Sequence, residues 1–167
     1  INHLLIINDE EKHDWINQLA IKQNVSIPDI PSDEFSAVSW EQVKEMSAND
    51  IEIGAHSRTH PSLAKVNDEL LHDELKGCMD DIEEKVGSAP TSFCYPNGQP
   101  GDYNEAIKSH VKDMGCLGAV TAFYDRELYT DVFELRRFKA CEDWAQFIKV
   151  VNGIEVLTAK WLDEDNI

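Results

Sequence analysis

Two histidines four residues apart, His56 and His60, are the side chains of this sequence best placed to do chemistry. They lie in the run Ile51-Glu52-Ile53-Gly54-Ala55-His56-Ser57-Arg58-Thr59-His60-Pro61. One helical turn or a tight loop brings such rings to the same side, where two neutral nitrogens can hold one divalent cation. Ser57 and Thr59 offer hydroxyls that could orient the rings, and Pro61 restricts the backbone leaving them. A bare His-x-x-x-His is also common on solvated helix faces, so spacing alone does not separate ligands from surface side chains. Position favours ligands. The β-branched run Ile51–Ile53 reads as a buried strand, Gly54 as the turn after it, and α/β folds bind ligands at strand ends.

A second stretch has the same form. Thr91 to Tyr95 predicts a strand, and Pro96-Asn97-Gly98-Gln99-Pro100-Gly101 a rigid loop at its end, although an ordinary turn would use the same residues. The elements around the two stretches show as periodicity. Residues 1–8 hold a short apolar run, Leu4 to Ile7, which suits a strand or a helix start. Glu10 to Gln23 predicts a helix with Trp15, Ile16, Leu19 and Gln23 along one side, and Val25 to Pro31 a linker. Ser39-Trp40-Glu41-Gln42 matches a capping box, which opens a helix from Trp40 to about Ser47. After Pro61, Asn67 or Asp68 caps the longest helix; its stripe is Leu71, Leu75, Cys78, Ile82 and Val86, and Gly87 ends it. The other, acidic face of that helix reads as solvated.

Asp102-x-x-Glu105 is a second capping-box match, opening a helix to Met114 that Gly115 stops. Cys116–Phe123 and Phe133–Phe138 predict two further strands. Asp143 caps a terminal helix with Trp144, Phe147, Ile148, Val151, Ile154, Leu157 and Trp161 on one face, and Gly153 is placed to kink it. Strands alternating with helices from Ile51 onward predict an α/β domain with a mainly parallel sheet or barrel. One domain is expected over residues 1–167. It divides into a helical insertion and linker (1–38), a motif-bearing α/β core (39–138) and a C-terminal helix (139–167).

Composition excludes more than it selects. The 167 residues are 42% hydrophobic, which suits a single core, and no run approaches the roughly 18 apolar residues of a membrane span. A net charge of −17 opposes a phosphate backbone, so no nucleic-acid partner is expected; a neutral or cationic carbohydrate meets no such barrier. Cys78, Cys94, Cys116 and Cys141 form no Cys-x-x-Cys pair, which favours free thiols and a reducing, cytoplasmic compartment. Cys78 and Cys116 sit in apolar contexts and read as core thiols. Ile1 is not a Met, and the chain is read as beginning inside a longer protein.

Glu52-Ile53-Gly54-Ala55-His56-Ser57-Arg58-Thr59-His60-Pro61, followed about 30 residues later by Ser92-Phe93-Cys94-Tyr95-Pro96-Asn97-Gly98, resembles the polysaccharide deacetylase family (carbohydrate esterase family 4). The flanking phrases Ser39-Trp40-Glu41-Gln42-Val43 and Glu134-Leu135-Arg136-Arg137-Phe138 resemble those of its Tyr-Pro-x-Gly branch. The resemblance implies a distorted (β/α) barrel, here partial and without its N-terminal strands, and metal-dependent removal of N-acetyl groups from a poly- or oligosaccharide. It makes His56 and His60 the histidine ligands of a divalent metal, zinc by preference, with cobalt or nickel suiting the same donors. It makes the Asn97 backbone N–H the oxyanion donor, with Tyr95 and Pro96 shaping the substrate groove.

Three departures accompany the match. The family's Thr-Phe-Asp-Asp-Gly motif, source of the base and the carboxylate ligand, does not occur; Asp9-Glu10 is the nearest imitation. Cys94 stands where many members carry an Arg that steadies the base, a charge that Arg136 or Arg137 could supply instead. The late histidine that serves as general acid has no counterpart, since His72 and His110 fall on predicted helix surfaces. The chain is therefore expected to be inactive alone and to self-associate across an open sheet edge. The competing readings are a non-catalytic glycan-binding or assembly relative and a hydrolase of a small non-sugar amide.

Overall fold

In a computed structural model, the structure describes residues 9–30, 32–122, 131–137 and 142–154. The expectations for Leu4–Ile7, Cys141, Leu157 and Trp161 lie outside the described residues.

Helix α1 (Asp9–Lys22) carries Trp15, Ile16 and Leu19 on an exposed side. The Ser39 capping box forms as the sequence predicts. The Ser39 hydroxyl accepts from the Gln42 N–H, the Gln42 side chain accepts from the Ser39 N–H, and α2 runs Trp40–Ala48. Asn67 caps the long helix, whose carboxamide oxygen accepts from the Leu70 N–H. That helix is not uniform: α3 (Asp68–His72) widens into a π-helical turn (Asp73–Gly77) before α4 (Cys78–Val86), which stops at Gly87. Leu75, Cys78 and Ile82 of its stripe are buried, while Leu71 and Val86 pack against the same core.

The sheet is parallel throughout. Strands β1 (Ser92–Cys94), β2 (Gly118–Thr121) and β3 (Leu135–Arg136) lie side by side in chain order, with Ser92 opposite Gly118 and Val120 opposite Leu135. Between β1 and β2 the chain crosses over through α5 (Glu105–Asp113), the connection a parallel pair requires. Sequential parallel order is barrel-type winding, and the expected α/β class holds. Phe93, Ala119, Ile107, Val111 and Cys116 join the helix stripe in one core.

Two local expectations are corrected. Ile51–Ile53 is not a buried strand: only Ala55 bridges to Phe93, and Ile51 is 53% exposed. Among the described residues no strand pairs with this stretch on its other side, so a ladder has nothing to form against. The cap of α5 is Asn104, accepting from the Ile107 N–H, rather than Asp102. Asp102 accepts instead from the Ser62 hydroxyl and the Gln99 N–H, tying two loops together. Asp143 caps α6 (Trp144–Val151) as expected, and Gly153, at φ 66°, interrupts the helical path before Ile154, which is helical again.

Candidate metal centre

Each residue singled out by its motif leaves the carboxyl end of a parallel strand or bridge. His56 follows Ala55, Asn97 lies just beyond β1, and Arg137 follows β3. They share one edge of the sheet, the edge where α/β barrels build their sites.

The His56–His60 segment is a loop, not a helical turn, with Ser57 at φ 61° and His60 at φ 63°. It brings the rings to a centroid separation of 4.8 Å at 80° to one another. His56 Nδ1 lies 2.6 Å from the Cys94 carbonyl oxygen. A carbonyl only accepts, so Nδ1 carries the hydrogen and Nε2 of the neutral ring keeps its lone pair. Burial holds the His56 pKa below its ordinary value, with His60 and Arg137 adding to the lowering and the Cys94 carbonyl opposing it. A neutral imidazole with an anchored Nδ1 is the form in which histidine binds metals.

The donor set fits such an ion as two ligands of a site that needs more. Among the described residues no group of three His, Cys, Asp or Glu could hold a metal. Asp9 opens α1. His72 and His110 are exposed and line a separate cavity of about 270 Å³ with Asp68, Leu71, Leu75 and Met114.

The loop after β1 turns tightly on Gly98, whose N–H donates to the Pro96 carbonyl. At φ +62°, a Cβ on Gly98 would stand 2.6 Å from the Ala122 nitrogen, so only glycine closes the loop against the end of β2. Asn97 is exposed at φ 57°, and among the described residues its N–H donates to no acceptor. Tyr95 and Pro96, expected to shape the groove, are both fully buried. Tyr95 stacks on Tyr103 at 4.3 Å and its hydroxyl donates to the Phe133 carbonyl, so it supports the loop from beneath. The two arginines separate. Arg136 donates to Thr121 Oγ1 and the Glu134 carbonyl, while Arg137, held by the Thr121 carbonyl, acts on both His56 and Cys94.

One residue of the site escaped the sequence reading. Glu74 was expected on a solvated acidic face, yet it is 1% exposed and accepts from the Arg58 N–H, the Thr59 N–H and the Thr59 hydroxyl. Its spacing held the signal. It lies three residues after Leu71 and four before Cys78, on the apolar stripe itself.

An in-order parallel sheet with paired histidines and a glycine-closed loop at its carboxyl edge fits a partial (β/α) barrel of the deacetylase type. The family model for polysaccharide deacetylases matches residues 13–119, and the chain belongs to that family. Among solved structures, it is 20% identical to a polysaccharide deacetylase from Bacillus cereus, with a TM-score of 0.50 over 73% of this chain and 42% of that one. It is 19% identical to the Streptococcus pyogenes deacetylase PplD in complex with acetate, with a TM-score of 0.53 over 63% and 46%. A de-N-acetylase from Aggregatibacter actinomycetemcomitans is 16% identical, with a TM-score of 0.54 over 81% and 68%. These likenesses show the fold, and the chain spans less than half the length of the first two. No curated protein sequence matches it significantly.

Proposed function

We propose that this chain carries the histidine half of the metal site, and the oxyanion loop, of a hydrolase that removes N-acetyl groups from a poly- or oligosaccharide. The observation that carries the reading is the His56 ring, fixed by the Cys94 carbonyl with Nε2 free, 4.8 Å from the ring of His60. A divalent cation on this pair, zinc by preference, would polarise an amide carbonyl and acidify a bound water. The chain's own residues supply the rest. The Asn97 N–H, which meets no acceptor among the described residues, is a donor for the developing oxyanion, an interaction worth about 3 kcal/mol in such sites. Arg137 adds positive charge beside the pair.

Among the described residues no carboxylate joins the histidines in a metal-binding group, and this reading places no base among them. Titration calorimetry should find zinc binding that the H56A and H60A variants lose, with no acetate released from N-acetylated oligosaccharide by the chain alone. Steady turnover would refute the missing base, and unchanged zinc binding in both variants would refute the pair.

The short donor set also favours a second reading, a non-catalytic relative that binds glycan at the same edge. Glycan binding that survives loss of both histidines would select it. Self-association belongs to either reading. The outer edge of 51–54 has no partner strand among the described residues, and Ile51, Val38, Trp144 and Val151 are exposed. Sedimentation should show a dimer, and a monodisperse monomer across micromolar concentrations would reject it.

A further inference from the structure

Between the two histidines, the chain is held from below by a helix rather than by its own hydrogen bonds. Ser57 and His60 both adopt left-handed φ, a conformation that strains a side-chain-bearing residue. The Ser57 hydroxyl accepts from the His60 N–H at 3.1 Å, a single bond against two strained residues. Three further donors of the loop converge on one buried carboxylate. Glu74 Oε2 accepts from the Arg58 N–H at 2.8 Å and the Thr59 N–H at 2.9 Å, and Oε1 from the Thr59 hydroxyl.

The π-helical turn that bears Glu74 is shaped for this contact. The Arg58 side chain lies across it, reaching Asp73 at 3.0 Å and Asp81 at 2.9 Å. Gly77 gives it room: a Cβ there would stand 2.7 Å from Arg58 Cδ. Isolated π turns cluster at functional positions, and this one faces the loop that carries both rings.

We propose that Glu74 is a positioning residue for the His56–His60 pair: it fixes the backbone of Arg58 and Thr59, and through them the spacing at which the two rings meet a cation. The proposal rests on the metal-pair reading above. Residues that orient ligands typically cost ~10–100-fold in metal affinity when removed.

The test uses the 167-residue chain and four variants, E74A, E74Q, L75A and H60A. Zinc affinity is measured by calorimetry, and the exchange of the Arg58 and Thr59 amides by NMR without metal. E74A should weaken zinc binding by about 10–100-fold and speed both amides by about tenfold or more. E74Q, which keeps an acceptor for the two N–H groups and can donate to the Thr59 oxygen, should return both readouts to within about threefold of the wild type. L75A removes a fully buried neighbour on the same turn; it should lower the urea midpoint while leaving affinity and loop exchange unchanged. Equal losses in L75A and E74A, or wild-type affinity in E74A, overturn the proposal. Zinc binding absent from the wild type and from H60A alike sinks the metal reading. The role of Glu74 is then judged by exchange alone, and unchanged exchange in E74A overturns it.

Discussion

Replacing Lys108 by methionine tests how the last strand, and with it Arg137, is held against the site. Lys108 leaves α5 with its side chain only 10% exposed and its Nζ 2.7 Å from Glu105, 2.9 Å from Asp131 and 3.2 Å from Glu134. Glu105 is 87% exposed, so that arm is screened and adds little. Glu134 is 22% exposed and Asp131 41%; charge-assisted bonds of this kind are worth about 1.5–3 kcal/mol each, less where water reaches them. Methionine keeps the buried stem and regains the desolvation of the ammonium, roughly 1 kcal/mol of relief at a partly wet site. The K108M variant should therefore unfold about 2 kcal/mol more easily, read from urea denaturation at pH 7 with an unchanged slope. The same cations and carboxylates hold residues 131–134, where the Phe133 carbonyl accepts from Tyr95 and the Val132 carbonyl from the Ala119 N–H. A double-mutant cycle with E134Q should return a coupling of about 1 kcal/mol. Stability within about 0.5 kcal/mol of the wild type, or zero coupling, would refute the reasoning.

The remaining predictions are separable from this one. Gly98→Ala should cost clearly more in thermal stability than Gly87→Ala. Both positions are left-handed, but only the Cβ at Gly98 meets backbone, whereas nothing lies within 4 Å at Gly87; equal losses would show that the close approach to Ala122 does not matter. Asp131→Asn should flatten the acid limb of stability. The Lys108 ammonium first, then the Phe133 N–H, hold this carboxyl below its ordinary value of 3.8. Its contribution is therefore full above that value and is lost as pH falls through the depressed one. Urea midpoints between about pH 2 and 5 should converge for wild type and D131N at the acid end, and parallel curves would contradict this assignment.

Much of this arrangement is legible in the sequence because local chemistry fixed it. The Ser39 box, the Asn67 and Asp143 caps and the Leu71–Val86 stripe depend on residues within a few positions of one another, and each folds as its pattern predicts. Ile51–Ile53 misled because a strand needs a neighbour, which no run of β-branched residues can supply by itself. Asp102 misled in the opposite sense: it satisfied a capping pattern, but Ser62, forty residues away, offered it a better donor.

The site itself divides along the same line. His56 and His60 were readable as types at a spacing and Asn97 only through the family motif, whereas the features that would make them work are contacts over long separations. The Cys94 carbonyl selects the His56 tautomer across 38 residues, and Glu74 holds the loop from 15 and 16 residues downstream. Histidine spacing alone would have served a helix equally well. A helix would have satisfied its own backbone N–H groups and needed no Glu74. The loop leaves those donors open, and a buried carboxylate on a π turn is what makes two left-handed residues and a fixed ring pair tolerable in the same five positions.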